Sequence, residues 1–508
     1  MDRSFMQKCG ILAAVALCMA THLRAEPRID FNGDGYADLA VGVPDEDDAK
    51  ATDAGAVNII YGSESGLTEI GNMFFTQRTK GVPGNRQKGA KFGRALAAGN
   101  FDGDGFTDLA VAAPLFDQPH LRDAGYVVIF HGAPKGLSGS RANGLIWLDS
   151  MARNSNFGAA LAAGDFDADG IDDIAVGAPE FWSDQQITPG SGHGAVLVWY
   201  GSRFGMEGMQ FWRQGEDGLS ETSEYRDQFG SALVAADFDG DGADDLAVGA
   251  PGEENEDYLP IGAVSVLFGQ AGTGLTAAGN EIWTQISDGG GNAAEAGDRY
   301  GDSLGSGDFN GDGCDELVVG ALGDHSVHVI YGTSKGLTSQ KTQELAGSMP
   351  DFVSADFDGN GADDLAMPGN GVKVYFADSD GLPIWPKYLD EFLMPGLNQG
   401  DDSQESTASV GHALAADDFE GRGSFDLAIG IPGYDIPYKH NLLLITDAGT
   451  VAVFRNTPIV QHSDPTSETP IIQWSRSLDF FEGNYPSTIH EVFGAAERGD
   501  GFGKVFAH

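Results

Sequence analysis

The chain has 508 residues, 76 of them acidic against 29 basic, for a formal net charge of −47. That acidic excess argues against nucleic acid and anionic membrane surfaces as partners. With 41% hydrophobic residues the chain can bury a large core, so it is not a disordered acidic segment.

Residues 1–25 read as a secretory signal. Arg3 and Lys8 make a weakly basic start, Ile11 to Ala20 a short apolar run, and Leu23-Arg24-Ala25 a cleavage site before Glu26. The apolar run is too short for a permanent span, and no later segment resembles a transmembrane helix. Removing residues 1–25 leaves Cys314 as the one cysteine, so no internal disulfide is expected in the mature region, 26–508. The expected location is secreted or extracytoplasmic.

From Asp30 onward one nine-residue loop recurs seven times, beginning at Asp30, Asn100, Asp165, Asp237, Asp308, Asp356 and Asp418. Each copy has Phe at its second position and Gly at its sixth. Acids at positions one, three, five and nine can point inward together, and the seventh position can offer its carbonyl. Calcium takes six to eight such hard oxygen donors. The candidate ligands are Asp30, Asn32, Asp34, Tyr36 and Asp38; then Asn100, Asp102, Asp104, Phe106 and Asp108. The third and fourth copies offer Asp165, Asp167, Asp169, Ile171 and Asp173, and Asp237, Asp239, Asp241, Ala243 and Asp245. The fifth and sixth offer Asp308, Asn310, Asp312, Cys314 and Glu316, and Asp356, Asp358, Asn360, Ala362 and Asp364. The seventh reads Asp418, Glu420, Arg422, Ser424, Asp426. A guanidinium at its fifth position stands where an ion would sit, so Arg422 is expected to pair the carboxylates and leave about six calcium sites. An EF-hand is excluded, because position twelve is apolar in every copy (Val41, Val111, Val176, Val248, Val319, Met367, Ile429) and no helix follows.

Around each loop the pattern is that of strands. A Phe/Tyr-Gly strand precedes it, as in Phe92 to Gly99 or from Phe157, Phe229 and Tyr300. A Leu-Ala-Val-Gly-Ala-Pro strand follows, then a variable loop, a β-branched third strand such as Ala263 to Phe268, and an aromatic fourth strand such as Glu281 to Thr284. Four strands in seven repeats predict an all-β fold, a seven-bladed β-propeller of four-stranded blades. The first loop lacks its preceding Phe-Gly strand, while the chain finishes on Phe502-Gly503-Lys504-Val505-Phe506-Ala507-His508. Laid beside Phe92 to Ala98, this end supplies the missing strand, so the C-terminal strand is expected to pair with the N-terminal blade and close the ring.

These Phe-Gly, acidic-loop and Gly-Ala-Pro elements resemble FG-GAP repeats, the units of the integrin alpha-chain N-terminal propeller. The resemblance runs from Asp30 to His508 and implies calcium in hairpins between the first and second strands of several blades. The propeller part of glycosylphosphatidylinositol-specific phospholipase D is similar too. Integrin-type propellers bind ligands through the face opposite the hairpins, where the second-to-third-strand loops lie. On those loops Phe116, Phe181, Trp182, Tyr258, Tyr434 and Tyr438 read as exposed partner contacts.

No catalytic constellation emerges. Gly332-Thr333-Ser334-Lys335-Gly336 matches G-x-S-x-G but falls where other repeats have a turn, with no helix after it. His325, His328 and His440 read as surface or strand residues. The chain therefore reads as a calcium-stabilised, secreted interaction or adhesion module with a protein or glycan ligand, and not as an enzyme. The alternatives are an extracellular hydrolase related to the phospholipase and a self-associating envelope structural protein.

Overall fold

The computed structural model describes residues 28–48, 51–145, 153–182, 192–216, 218–255, 259–289, 294–346, 351–369, 371–383, 386–389, 413–431, 436–437, 444–445, 450–456, 474–475 and 505–506. The fold is all-β, a propeller of four-stranded blades. Hydrogen bonding groups the described strands into seven four-stranded sheets and one two-stranded ribbon, Ile436–Pro437 with Leu444–Ile445. The single helical element described is a 3-10 turn at Gly139–Arg141.

Blade 4 shows the plan. Its strands Leu233–Ala236, Asp245–Ala250, Ala263–Phe268 and Thr276–Trp283 pair antiparallel in chain order. The second strand is buried at every residue. It is apolar along its length because neighbouring blades cover both faces, which removes the usual inward–outward alternation. First strands are short and made of small residues, such as Leu96–Gly99 and Leu161–Gly164. They pack side by side toward the axis, where there is little room. Apolar clusters fill the gaps between blades. One joins Phe166 and Val196 of blade 3 to Leu246 and Leu267 of blade 4, and another joins Leu39 and Ile60 of blade 1 to Ala428 and Val451 of blade 7.

The Phe-Gly pairs behave differently from the sequence expectation. In blades 2, 3 and 4 the first strand starts at Leu96, Leu161 and Leu233, beyond the Phe-Gly pair. Phe92, Phe157, Phe229 and Tyr300 instead make a parallel bridge to Gly55, Gly125, Gly194 and Gly262 of the preceding blade. A Cβ on Gly55 would lie 2.1 Å from the Phe92 carbonyl oxygen, so only glycine allows that approach. The repeat unit thus begins by docking on its neighbour, and the aromatic ring is fully buried there.

In blade 1 Leu39–Val43, Ala56–Tyr61 and Thr68–Phe75 are the second, third and fourth strands, and Val505–Phe506 lies beside Leu39–Val43 in the place of the first. Phe506 stands opposite Val41 as Leu96 stands opposite Val111 in blade 2. Residues 1–25, the expected signal, lie outside the described residues.

Candidate metal centres

The loops of blades 2 to 7 are hairpin turns between first and second strands, the Asp30 loop leads into the second strand of blade 1, and in all seven the first-position side chain accepts the N–H of the sixth-position glycine. In blade 4 the Asp237 carboxylate accepts the N–H groups of Asp241 (3.0 Å) and Gly242 (2.9 Å). The Asp241 carboxylate accepts from Ala243 (3.0 Å). Gly242 adopts φ +94°, which turns the chain back. The ninth-position acid is the most enclosed. Asp245 accepts the N–H of Phe238 (3.0 Å) with one oxygen and of Gly269 (2.8 Å) with the other. It fastens the hairpin to the end of the third strand, and Asp38, Asp108, Asp173 and Asp364 do the same.

In three blades the acids at positions one, three and nine bring an oxygen each within 4.8 Å of one another: Asp165, Asp167 and Asp173; Asp237, Asp239 and Asp245; Asp356, Asp358 and Asp364. Burial pushes Asp173 and Asp364 up to about 8 and Asp245 to about 9, with the neighbouring carboxylates adding to it. Such a group asks for either a proton or a cation. The donors are all oxygen and come from rigid turns, which fits a hard divalent ion such as calcium. Asn32 and Asn310 take the third position in blades 1 and 5. Asn310 Nδ2 donates to Glu316 (2.7 Å), and the Asn360 side chain donates to the Ala377 carbonyl (2.8 Å). The side chain of Cys314 is buried, and a Cβ on Gly240 of the adjacent hairpin would lie 2.8 Å from its sulfur.

Two hairpins set a basic side chain against their acids. In blade 7 Arg422 pairs with Glu420 (2.6 Å), as its position led one to expect, and Arg28 pairs with Asp418 (2.7 Å). In blade 2 the His131 Nδ1 lies 3.0 Å from Asp108 and 3.2 Å from Asp102, while Arg141 lies 3.3 Å from Asp104. The hydrogen bond to Asp108 raises the His131 pKa above the usual imidazole value. Sequence reasoning missed His131. The signal was its slot, the residue before Gly132, where other repeats carry Tyr61, Tyr200, Phe268 or Tyr331.

The eighth position was also missed. Its acid faces the preceding blade instead of the loop centre. Asp244 accepts the N–H of Asp165 (2.8 Å), Asp315 that of Asp237 (3.0 Å) and Asp363 that of Asp308 (3.1 Å). The N–H of each of these acids returns a bond to the same partner's carbonyl. Ala37 bonds to Asp418 in the same way, linking blade 1 to blade 7.

The expected partner contacts need correcting. Phe116, Phe181 and Trp182 are buried. Phe116 packs on Tyr126, Phe181 edge-on to Phe211, and Trp182 against His193 and Tyr225. Large aromatics at the blade seam gain more from covering apolar neighbours than from facing water. Tyr258, Tyr434 and Tyr438 lie outside the described residues. Among the described residues, the large apolar side chains exposed on the loops and connections of that face include Leu115, Tyr225, Leu259, Ile286 and Leu322.

Ser334 sits in the turn between Ser326–Tyr331 and Thr338–Ala346, an ordinary connection. A different serine has triad-like neighbours. Ser326 Oγ lies 3.0 Å from His328 Nε2, and His328 Nδ1 lies 2.8 Å from Asp288. Ser326 also donates to Asp324 (2.9 Å), and His328 and Asp288 are fully buried. A nucleophile needs substrate access, so this chain of bonds acts as a strut between the third strand of blade 5 and the connection before it.

The FG-GAP repeat family model matches residues 29–59, 92–130, 157–198 and 229–267, and the FG-GAP-like repeat model matches 308–367. The chain carries FG-GAP repeats in a propeller like that of integrin alpha chains. It is 35% identical over 173 residues to phosphatidylinositol-glycan-specific phospholipase D of Rattus norvegicus, covering 34% of this chain and 19% of that protein. It is 33% identical over 231 residues to integrin alpha-V of Gallus gallus, covering 44% and 19%. The chain matches about a fifth of the length of these two relatives. Among solved structures, a rhamnogalacturonan lyase of Bacillus licheniformis aligns with TM-score 0.36 at 14% identity, covering 68% of this chain and 60% of that one. No helix among the described residues is long and apolar enough to cross a membrane.

Proposed function

We propose that this protein is an extracytoplasmic calcium-binding propeller that displays a ligand-binding face, in the manner of an interaction or adhesion module. The observation that carries the reading is the convergence of three carboxylates in the hairpins of blades 3, 4 and 6. Calcium holds the hairpins, and the hairpins hold the blades. The opposite face, with Leu115, Tyr225, Leu259, Ile286 and Leu322 exposed, contacts a protein or glycan.

The ring is proposed to close at blade 1. The pairing of Phe506 with Val41, the bond from Ile29 to Asp417 (2.9 Å) and the apolar cluster shared with blade 7 support this. Deleting residues 502–508 is expected to lower the unfolding midpoint, and an unchanged midpoint would argue for an open array.

Thermal unfolding of residues 26–508 with calcium and then with chelator tests the metal role. A ligand specific for the native state stabilises by about 2.7 kcal/mol per site at a hundred times Kd. A midpoint shift of many degrees is expected. No shift, with no heat of binding by calorimetry, would remove the calcium assignment. The face is tested by a binding screen in calcium, repeated with Leu259→Asp and Leu322→Asp, which should lose the ligand while the melt is unchanged. A similarity to the phospholipase keeps hydrolysis as the second reading. It predicts turnover that one substitution abolishes without altering the melt.

A further inference from the structure

We propose that blade 4 carries a second kind of divalent-cation site, on the face opposite the hairpins, built from Glu224, Asp227, Glu253 and the side-chain oxygen of Gln214. Glu224 and Asp227 lie on the connection entering the blade, and Glu253 lies on its second-to-third-strand loop. The chain leaves the sheet there at the far end from the hairpin.

Each of the three acids brings one carboxylate oxygen within 4.8 Å of the others. Asp227 is fully buried, and Glu253 and Gln214 are 4% and 2% exposed. Gln214 Nε2 donates to Glu253, so its carboxamide head sits against the cluster. Gln214 Oε1 has no hydrogen-bond partner, and neither has Asp227 Oδ1. Buried acceptors without a donor are costly, and a cation bound among the three clustered acids would satisfy them at once. Burial, with neighbouring carboxylates adding to it, drives Asp227 up to about 7 and Glu253 to about 9. The alternative is a protonated cluster, which needs no ion.

Part of the arrangement recurs in the next blade, without the convergence of three acids. Gln285, Glu295, Asp298 and Asp324 repeat it in blade 5 at identical sequence spacing. Gln285 Nε2 donates to Asp324 (3.1 Å), the N–H of Glu295 donates to Asp298 (2.6 Å), and Gln285 Oε1 is again buried without a partner. Blades 2 and 3 place Phe116 and Phe181 at the position of Glu253, the third residue after Ala113, Ala178 and Ala250. The same slot is therefore filled either by apolar packing or by an acid–amide cluster. An oxygen-only donor set of this size suits calcium.

The test is a count of bound calcium per full chain by equilibrium dialysis, for wild type and for Asp227→Asn/Glu253→Gln. One ion fewer is expected in the variant. In chelator the variant should melt above wild type, because its amides need no counter-ion, and in calcium that order should reverse. An equal count in a variant that melts cooperatively would overturn the site in favour of a protonated cluster. Glu253→Phe, copying blades 2 and 3, is the second variant, with the same loss of one ion expected. Asp245→Asn is the hairpin control, so a failure of the hairpin assignment is read separately.

Discussion

The hairpins of blades 4 and 7 follow one backbone scheme and differ at the centre. In both, the first-position Asp accepts the N–H groups at positions five and six (Asp237 from Asp241 and Gly242; Asp418 from Arg422 and Gly423). Blade 4 then aims three carboxylates at one point, whereas blade 7 neutralises its acids with Arg28 and Arg422. Blade 2 stands between them, keeping Asp102 and Asp108 but setting His131 against both. The turn itself is therefore a product of side-chain-to-backbone bonds and glycine geometry, and the cation is a separate choice. A cluster of buried acids must be offset by some positive charge. An arginine that is always charged does this permanently, while a metal ion does it only when present.

The largest effect expected from breaking this contrast is at the ninth position. Asp245→Ala removes an acceptor from two buried N–H groups and one arm of the cluster. It should cost about 2–6 kcal/mol in chelator, at about 1–3 kcal/mol for each of the two buried groups left unsatisfied. It should cost more in calcium, because the ion is lost as well. Paired denaturant melts check this, and an equal cost in both conditions would show that blade 4 holds no ion. Sharpening the contrast comes next. His131→Tyr/Arg141→Ser gives blade 2 the aromatic of its neighbours and removes both basic side chains. Calorimetry should then show that hairpin binding calcium about tenfold tighter, which corresponds to about 1.4 kcal/mol of relieved repulsion. Unchanged affinity would mean that His131 is itself compatible with the ion. The smallest effect belongs to Asp244→Ala. It severs one tie between blades 3 and 4 and should lower stability by about 1 kcal/mol while leaving the bound-ion count unchanged. Loss of an ion would show that the eighth-position acid serves the loop and not the seam.

Much of the fold was legible because its determinants are local. Phe at position two, Gly at position six and a run such as Leu246-Ala247-Val248 lie within one short stretch, and their recurrence marks the repeat without any knowledge of its neighbours. The C-terminal Phe-Gly element could likewise be matched to Phe92 to Ala98 by eye, and Val505–Phe506 does pair with Leu39–Val43. The order of ligand candidates within each loop also follows from a nine-residue spacing.

What a side chain touches across a seam has no such local trace. Asp244 and Asp245 are adjacent acids, yet one bonds to blade 3 and the other to its own third strand. Nothing in the sequence distinguishes them, because the difference is which side of the turn each faces once blades are stacked. Arg28 reaches an acid 390 residues away, and His131 meets Asp108 through strand pairing. Phe116, Phe181 and Trp182 looked exposed on polar loops, yet they are buried against Tyr126, Phe211, and His193 with Tyr225. The sequence by itself determined the repeat, the turn chemistry and the strand pattern, since these rest on backbone conformation and nearest neighbours. Only the tertiary structure decided which acids face a shared centre, which tie blades together and which are met by a protein cation, because those outcomes depend on packing between segments far apart in the chain.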